Sequence, residues 1–273
     1  MFRYFSITKG DSEENKKVQD LLKFDELKLP RSQSFYTFNN SFSLVNETLG
    51  SGAESRDVRS FKNSITGEET AVKRVIFEDL DGEEGEKQAL KDGQAEAVCN
   101  KLVHKTGEFY NTNHGFYILM KKLPTTTLSQ LYFEGDHKIN SYGEFLELFK
   151  SITSEVKGLH DKKVSHGDLH EKNILVDAKN SKSALCDFNK IKFKNNRGMA
   201  DDVYEIGALI TKFDTLNKLT ALSTDEKEKL TKLAQAMCIS ENYESRISIA
   251  EAHQFFVEEL EKINEQNYKP SFS

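Results

Sequence analysis

Val164-Ser165-His166-Gly167-Asp168-Leu169-His170-Glu171-Lys172-Asn173-Ile174-Leu175-Val176 is followed, after one strand-turn-strand interval, by Cys186-Asp187-Phe188-Asn189. The order of its polar groups is specific: an Asp, then an Asn, then a second Asp beyond a hairpin. One carboxylate suits the orientation of an attacking hydroxyl. An amide oxygen and a further carboxylate suit a magnesium ion held on phosphates. An acidic surface turn between two strands would carry the same residues without chemistry, so the flanking sequence has to decide.

Working outward, Asp202-Val203-Tyr204-Glu205-Ile206-Gly207 starts an apolar helix read over Val203 to Phe213. Upstream, Phe145, Leu148, Phe149, Ile152, Val156 and Leu159 recur at three- and four-residue spacing, as one buried helix face does. Downstream, residues Asp225 to Ile239 and Ile247 to Ile263 read as amphipathic helices. The half before Pro124 has a different texture. Phe42 to Leu49 runs as a strand into Gly50-Ser51-Gly52, Val58 to Phe61 returns, and Thr70 to Phe77 forms a third, β-branched strand. An acidic stretch from Glu78 to Glu86 precedes Asp92-Gly93, which reads as an interruption with Asp92 capping a helix from Gln94 to His104. Phe116 to Met120 is a short apolar strand, and Pro124 marks a connector because it cannot donate into a central ladder.

These motifs together resemble the protein-kinase superfamily. The resemblance covers residues 42 to about 260 and implies an α+β, bilobal protein-kinase-like fold. Its N-lobe would be an antiparallel sheet over residues 41–122 and its C-lobe mainly helical over 123–273, with residues 1–40 an N-terminal extension of undetermined role. The resemblance further implies ATP and Mg as cofactors and a protein substrate. Asp168 would be the catalytic base, Lys73 of Ala71-Val72-Lys73 would hold phosphates, and Glu96 would pair with Lys73, with Glu86 as its rival. His166 and His170 complete the catalytic set, His166 as a brace near Phe188. Asn173 and Asp187 would hold the metal. Gly50, Ser51, Gly52, Met120, Lys121 and Leu123 would line the nucleotide, the last three at the adenine-binding hinge.

Several positions depart from the family pattern. Ser55 replaces a third loop glycine. His170 stands where Ser/Thr kinases usually carry a Lys on the γ-phosphate, and a His carries less charge than a Lys near pH 7. Asn189 replaces the last residue of Asp-Phe-Gly; Asn tolerates left-handed backbone, so the turn can survive. The interval from Asp187 to Asp202 is too short for a usual activation segment and lacks Ala-Pro-Glu. Arg246, within Ser245-Arg246-Ile247-Ser248, therefore lacks the Glu it normally pairs with.

Three functions remain open on these residues. The first is a Ser/Thr protein kinase acting on a host or cellular protein, switched by a host activator in place of loop phosphorylation. Bacterial effector kinases secreted into a host cytosol have this compact form, and Glu258, Glu259, Glu261 and Glu265 are similar to the acidic tails of some secreted substrates. An amphipathic helix explains those carboxylates too. The second is a small-molecule phosphotransferase of the aminoglycoside or choline type. The third is a nucleotide-binding pseudokinase scaffold, against which the retention of Lys73, Asp168, Asn173 and Asp187 weighs.

Bulk composition narrows the rest. A formal charge of −6 over 273 residues gives no electrostatic case for nucleic acid as a main partner, and the local basic cluster of Lys190, Lys192, Lys194 and Arg197 reads as a solvated face. Three dispersed cysteines argue for a reducing, cytoplasmic compartment rather than a disulfide framework. No segment has the apolar length of a membrane span, and the start lacks the form of a cleaved signal. Nineteen Phe and no Trp point to cores built from Phe, Leu and Ile.

Overall fold

The structure, a computed structural model, describes residues 42–50, 57–63, 67–77, 80–111, 115–177, 179–239 and 242–267. The chain divides into two compact units, the first ending at Leu123 and the second opening at Pro124.

The first unit is an antiparallel sheet with one long helix. Its strands are β1 (Phe42–Gly50), β2 (Asp57–Asn63), β3 (Glu69–Ile76), β4 (Gly107–Asn111) and β5 (Gly115–Lys121). They lie in the order β1-β2-β3-β5-β4. Strand alternation assigns the faces. Ala71, Lys73 and Val75 share one side of β3 and stand opposite Met120, Ile118 and Phe116 of β5. Val75, Ile118 and Phe116 join Phe77, Ala97 and Phe109 in the main core of this unit. Val72 and Leu119 form a smaller cluster on the other face with Phe61, Tyr110 and Tyr117.

The helix α1 (Gly82–His104) is continuous through Asp92-Gly93, where the sequence suggested a break. It absorbs the end of the acidic stretch: Glu83 and Glu84 occupy its first turn, where carboxylates favour the positive end of the helix dipole. Gly93 is needed for packing rather than for a break. A Cβ at this position would run into the ring of Phe116, so the missing side chain is what lets α1 approach the sheet. Strand β4 was not anticipated from the sequence. Its five residues follow the left-handed Lys105 (φ 63°) that ends α1, and they pair with β5 along their whole length.

The second unit is mostly helical. It contains α2 (Tyr142–His160), α3 (Asn196–Thr215), α4 (Thr224–Met237) and α5 (Ile249–Asn267), with a π-helical turn at Ser129–Phe133. Short antiparallel pairs connect them: β6 (Val164–Ser165) with β9 (Lys192–Phe193), and β7 (Ile174–Asp177) with β8 (Lys182–Leu185). Helix α2 is central, with α5 and the β7–β8 hairpin against it. Phe145 and Phe149 stack at 4.4 Å between centroids, and Phe213 and Phe256 close around them, all four fully buried. Stacked and edge-on rings of this kind add to the burial of their area.

Side chains fix the helix starts. Ser141 accepts from Glu144 N at α2, Asn195 accepts from Gly198 N at α3, and Ser223 with Glu226 makes a capping box at α4. Helix α3 thus begins at Asn196, before the Val203 start read from the sequence. Gly198, a poor helix former, hides that first turn in the sequence; its bare Cα faces Ser165, whose Oγ would lie 2.6 Å from a Cβ there. Glu259 is no part of a solvated acidic tail. It is 5% exposed, bonded by Lys229 and Lys262, and it accepts from the Tyr142 hydroxyl at 3.2 Å. Among the described residues, no helix is long and apolar enough to cross a membrane.

Candidate active site

The polar residues singled out in the sequence fall into one group in each unit. In the first unit, the alternation of β3 turns Lys73 toward the core face. Lys73 Nζ lies 2.9 Å from Glu96 Oε2 and 3.2 Å from Glu96 Oε1. Both residues are buried, at 7% and 3% exposure. Glu96 sits on the buried face of α1, and Asn100 one turn on donates to its backbone carbonyl at 3.0 Å. Met120 packs against the main core of this unit, while Lys121 is exposed at the end of β5, opposite Thr70. Leu123 is half-buried at the end of the unit. Gly50 closes β1; Ser51, Gly52 and Ser55 lie outside the described residues.

In the second unit, the loop from His166 to Asn173 is held by a buried carboxylate. Asp202 on α3 is 1% exposed. It accepts from His166 N at 2.7 Å and Gly167 N at 3.0 Å, and it meets His160 Nε2 at 2.9 Å. Two backbone N–H groups and an imidazole therefore converge on one carboxylate, which fixes the loop more firmly than any single bond. Gly167 turns with φ 78°, and a Cβ there would strike the carbonyl oxygen of Lys190. The chain after Asn189 is thus packed directly on the loop.

Asn173 donates through Nδ2 to the Asp168 carbonyl at 2.9 Å, and its own backbone carbonyl accepts from Cys186 N at 3.0 Å. With Ile174 opposite Leu185 in the β7–β8 ladder, that bond brings Asn173 and Asp187 to the same end of one hairpin. The Nδ2 bond turns the amide so that its oxygen is the atom left to act as a ligand. An amide oxygen and a carboxylate are hard donors that suit magnesium, which takes few protein ligands and completes its shell with phosphates and water. Among the described residues, no three His, Cys, Asp or Glu side chains gather as a self-sufficient metal site.

His166 is fully buried and its ring lies 5.2 Å from that of Phe188. Its Nε2 donates to the Cys186 carbonyl at 3.0 Å, and its buried Nδ1 has no hydrogen-bond partner. Burial holds the imidazole below its usual value, against the opposing pull of Asp202, and keeps the ring neutral. This environment suits bracing better than proton transfer. The left-handed residue of the Asp-Phe-Asn turn is Asp187 (φ 61°); Asn189 is not left-handed, contrary to the reading from sequence. The turn places its unusual conformation on the carboxylate residue itself.

Asp168 is 27% exposed at its side chain. His170 Nε2 stands 4.0 Å from Asp168 Oδ2, and Lys190 Nζ is closer at 3.0 Å. Sequence reading placed Lys190 in a solvated basic cluster, because nothing local to the Lys190-Ile191-Lys192 run shows a tertiary partner. Arg246 also has a carboxylate that sequence reading did not supply. Its Nη1 lies 3.1 Å from Asp201 Oδ1 and 2.9 Å from the Ala200 carbonyl, and its guanidinium sits 5.0 Å from the Tyr204 ring.

Comparison with known proteins agrees with this geometry. The family model described as "Protein kinase domain" matches residues 44–207. The chain is 33% identical over 139 residues to mitogen-activated protein kinase kinase kinase 1a of Physcomitrium patens, covering 48% of this chain and 17% of that protein. It is 28% identical over 159 residues to MAP kinase-interacting serine/threonine-protein kinase 2 of Xenopus laevis, covering 56% and 32%. It is also 28% identical over 158 residues to serine/threonine-protein kinase PTK2 of Candida glabrata, covering 54% and 20%. The chain thus spans no more than about a third of the length of these relatives.

Proposed function

The chain belongs to the protein kinase family, and from that premise we propose that it uses ATP and Mg to phosphorylate Ser or Thr hydroxyls of a protein in the cytosol. The observation that carries the reading is the Asp202-anchored loop, which sets Asp168 beside Asn173 and draws Asn173 to the same hairpin end as Asp187.

In the proposed reaction Asp168 orients the acceptor hydroxyl and takes its proton. The hydroxyl oxygen bonds to the γ-phosphorus, the bond to the bridging oxygen breaks, and ADP leaves with that electron pair. Asn173 and Asp187 would hold the metal, which when bound would offset phosphate charge. Within the first unit, Lys73, kept in place by Glu96, is the proposed phosphate-binding residue, and Met120, Lys121 and Leu123 are the proposed base-binding residues. Gly50, Ser51 and Gly52 are the proposed phosphate-binding residues of the glycine turn.

Helix α3 starts at Asn196, which leaves little chain after Asp187 for a phosphorylated switch. This supports an enzyme activated by a binding partner, such as a host factor met by a delivered bacterial effector. The relatives named as serine/threonine kinases support the choice of acceptor.

The test is transfer of label from γ-labelled ATP, with Mg, to a generic Ser/Thr protein substrate and to a panel of aminoglycosides and choline. Labelling of protein by wild type, absent with Asp168→Ala, is the expected result. Labelling of the small molecules alone would transfer the assignment to that class. No transfer above Asp168→Ala to any acceptor, with host-cell extract added, would overturn the enzyme reading.

A further inference from the structure

Phosphoryl transfer concentrates negative charge between the incoming hydroxyl and the leaving group, next to the carboxylate that takes the proton. A cation near that carboxylate is therefore a chemical need of the reaction. Position 170 offers a His, and imidazoles as a class are only partly charged near neutrality. The chain supplies a permanent charge from elsewhere: Lys190 Nζ is 3.0 Å from Asp168 Oδ2, against 4.0 Å for His170 Nε2.

The position of Lys190 is built rather than incidental. Its carbonyl oxygen abuts Gly167, where any side chain would collide. Two residues on, Lys192 pairs with Ser165 in the β6–β9 ladder, and the Ser165 hydroxyl donates to the Lys192 carbonyl at 3.3 Å. The backbone at Lys190 and two residues beyond it is thus tied to the Asp168 loop. Its side chain, by contrast, is 57% exposed, so solvent rather than packing surrounds the path from Asp168 to a phosphoryl oxygen. An exposed ion pair adds little to stability, so folding alone does not account for a lysine held at this place.

We propose that Lys190 is a catalytic residue that contacts the γ-phosphoryl group of bound ATP, supplying a permanent positive charge from the segment after Asn189. This rests on the kinase reading above. During transfer Lys190 keeps its protons. The hydroxyl proton still goes to Asp168 and the electron pair still leaves with ADP.

The test compares wild type, Lys190→Ala, Lys190→Arg and the double variant Lys190→Ala/His170→Lys, each with Mg. Affinities for ADP and for a non-hydrolysable ATP analogue are measured by calorimetry, and transfer by initial rates. Wild type should bind the analogue more tightly than ADP. Lys190→Ala should lose that preference, keep its ADP affinity, and lower kcat by about 10²-fold. Lys190→Arg should retain part of both, and moving the cation to position 170 in the double variant should restore them. Wild-type discrimination and kcat in Lys190→Ala would overturn the proposal while leaving the kinase reading intact. So would an equal loss of ADP and analogue binding with a lowered melting temperature, which marks a structural role. Failure of wild type to bind either nucleotide would overturn both.

Discussion

The ion pair of Lys73 with Glu96 and that of Asp168 with Lys190 share one chemistry in opposite settings. The first is sealed inside its unit, with side chains 9% and 3% exposed; the second faces water, at 27% and 57%. Burial raises the cost of removing one partner, because the charge left behind has lost both water and its counter-ion. Exposure lowers that cost and leaves the side chains able to change partners. The first unit thus holds a fixed charge set by folding, and the second an adjustable one set by chemistry. Substitutions in the two pairs should separate stability from turnover.

Outside both pairs, Asp187→Ala should abolish Mg-dependent nucleotide binding and transfer, read by calorimetry with and without the metal. Binding that keeps its Mg dependence would remove Asp187 from the metal set. Within the buried pair, Lys73→Met should lower transfer by about 10²-fold or more. It should also destabilise the protein by about 3–5 kcal/mol, because Glu96 stays buried without its ammonium. Chemical denaturation measures this, and the double variant Lys73→Met/Glu96→Leu should recover much of the stability and none of the transfer. A fully stable single variant would show that the pair is not sealed. Within the exposed pair, Lys190→Ala should change stability by no more than about 1 kcal/mol. A larger loss in the same unfolding experiment would erase the contrast between the two pairs.

The smallest effect concerns His166, buried and neutral beneath the Asp168 loop. Its folded-state value lies below the ordinary 6.5 because burial disfavours the charged ring. The unfolded chain therefore takes up a proton first as pH falls. The stability that the neutral ring confers is complete above about pH 6.5 and declines as pH drops from there toward the folded-state value. His253, also lowered by burial, acts in the same direction. Comparing unfolding midpoints at pH 7.5 and 5.5 isolates the His166 share: His166→Gln should show a smaller drop than wild type. An equal drop would assign the dependence to other groups.

Local chemistry was legible in the sequence wherever a residue's task and its neighbours lay together. The β-branched run through Ala71-Val72-Lys73 gave β3, the spacing from Phe145 to Leu159 gave α2, and the order Asp168, Asn173, Asp187 gave the loop and hairpin. Features set by distant contacts were hidden. Asp92-Gly93 reads as a break because Gly is a poor helix former, yet Gly93 serves the fit of α1 against Phe116. Gly198 masked the first turn of α3 in the same way, by meeting Ser165. Lys190 and Arg246 looked solvated or unpartnered because Asp168 and Asp201 are remote in sequence. The left-handed turn residue was misplaced for a different reason: Asn189 is the type that tolerates that geometry, but the fold imposes it on Asp187.

The proposal that Asp168, Asn173 and Asp187 together serve a metal-loaded nucleotide is tested most directly by a crystal structure with Mg and a non-hydrolysable ATP analogue. It should place the Asn173 amide oxygen and the Asp187 carboxylate on the metal, with Asp168 beside the γ-phosphate. A metal without Asp187 among its ligands would contradict it.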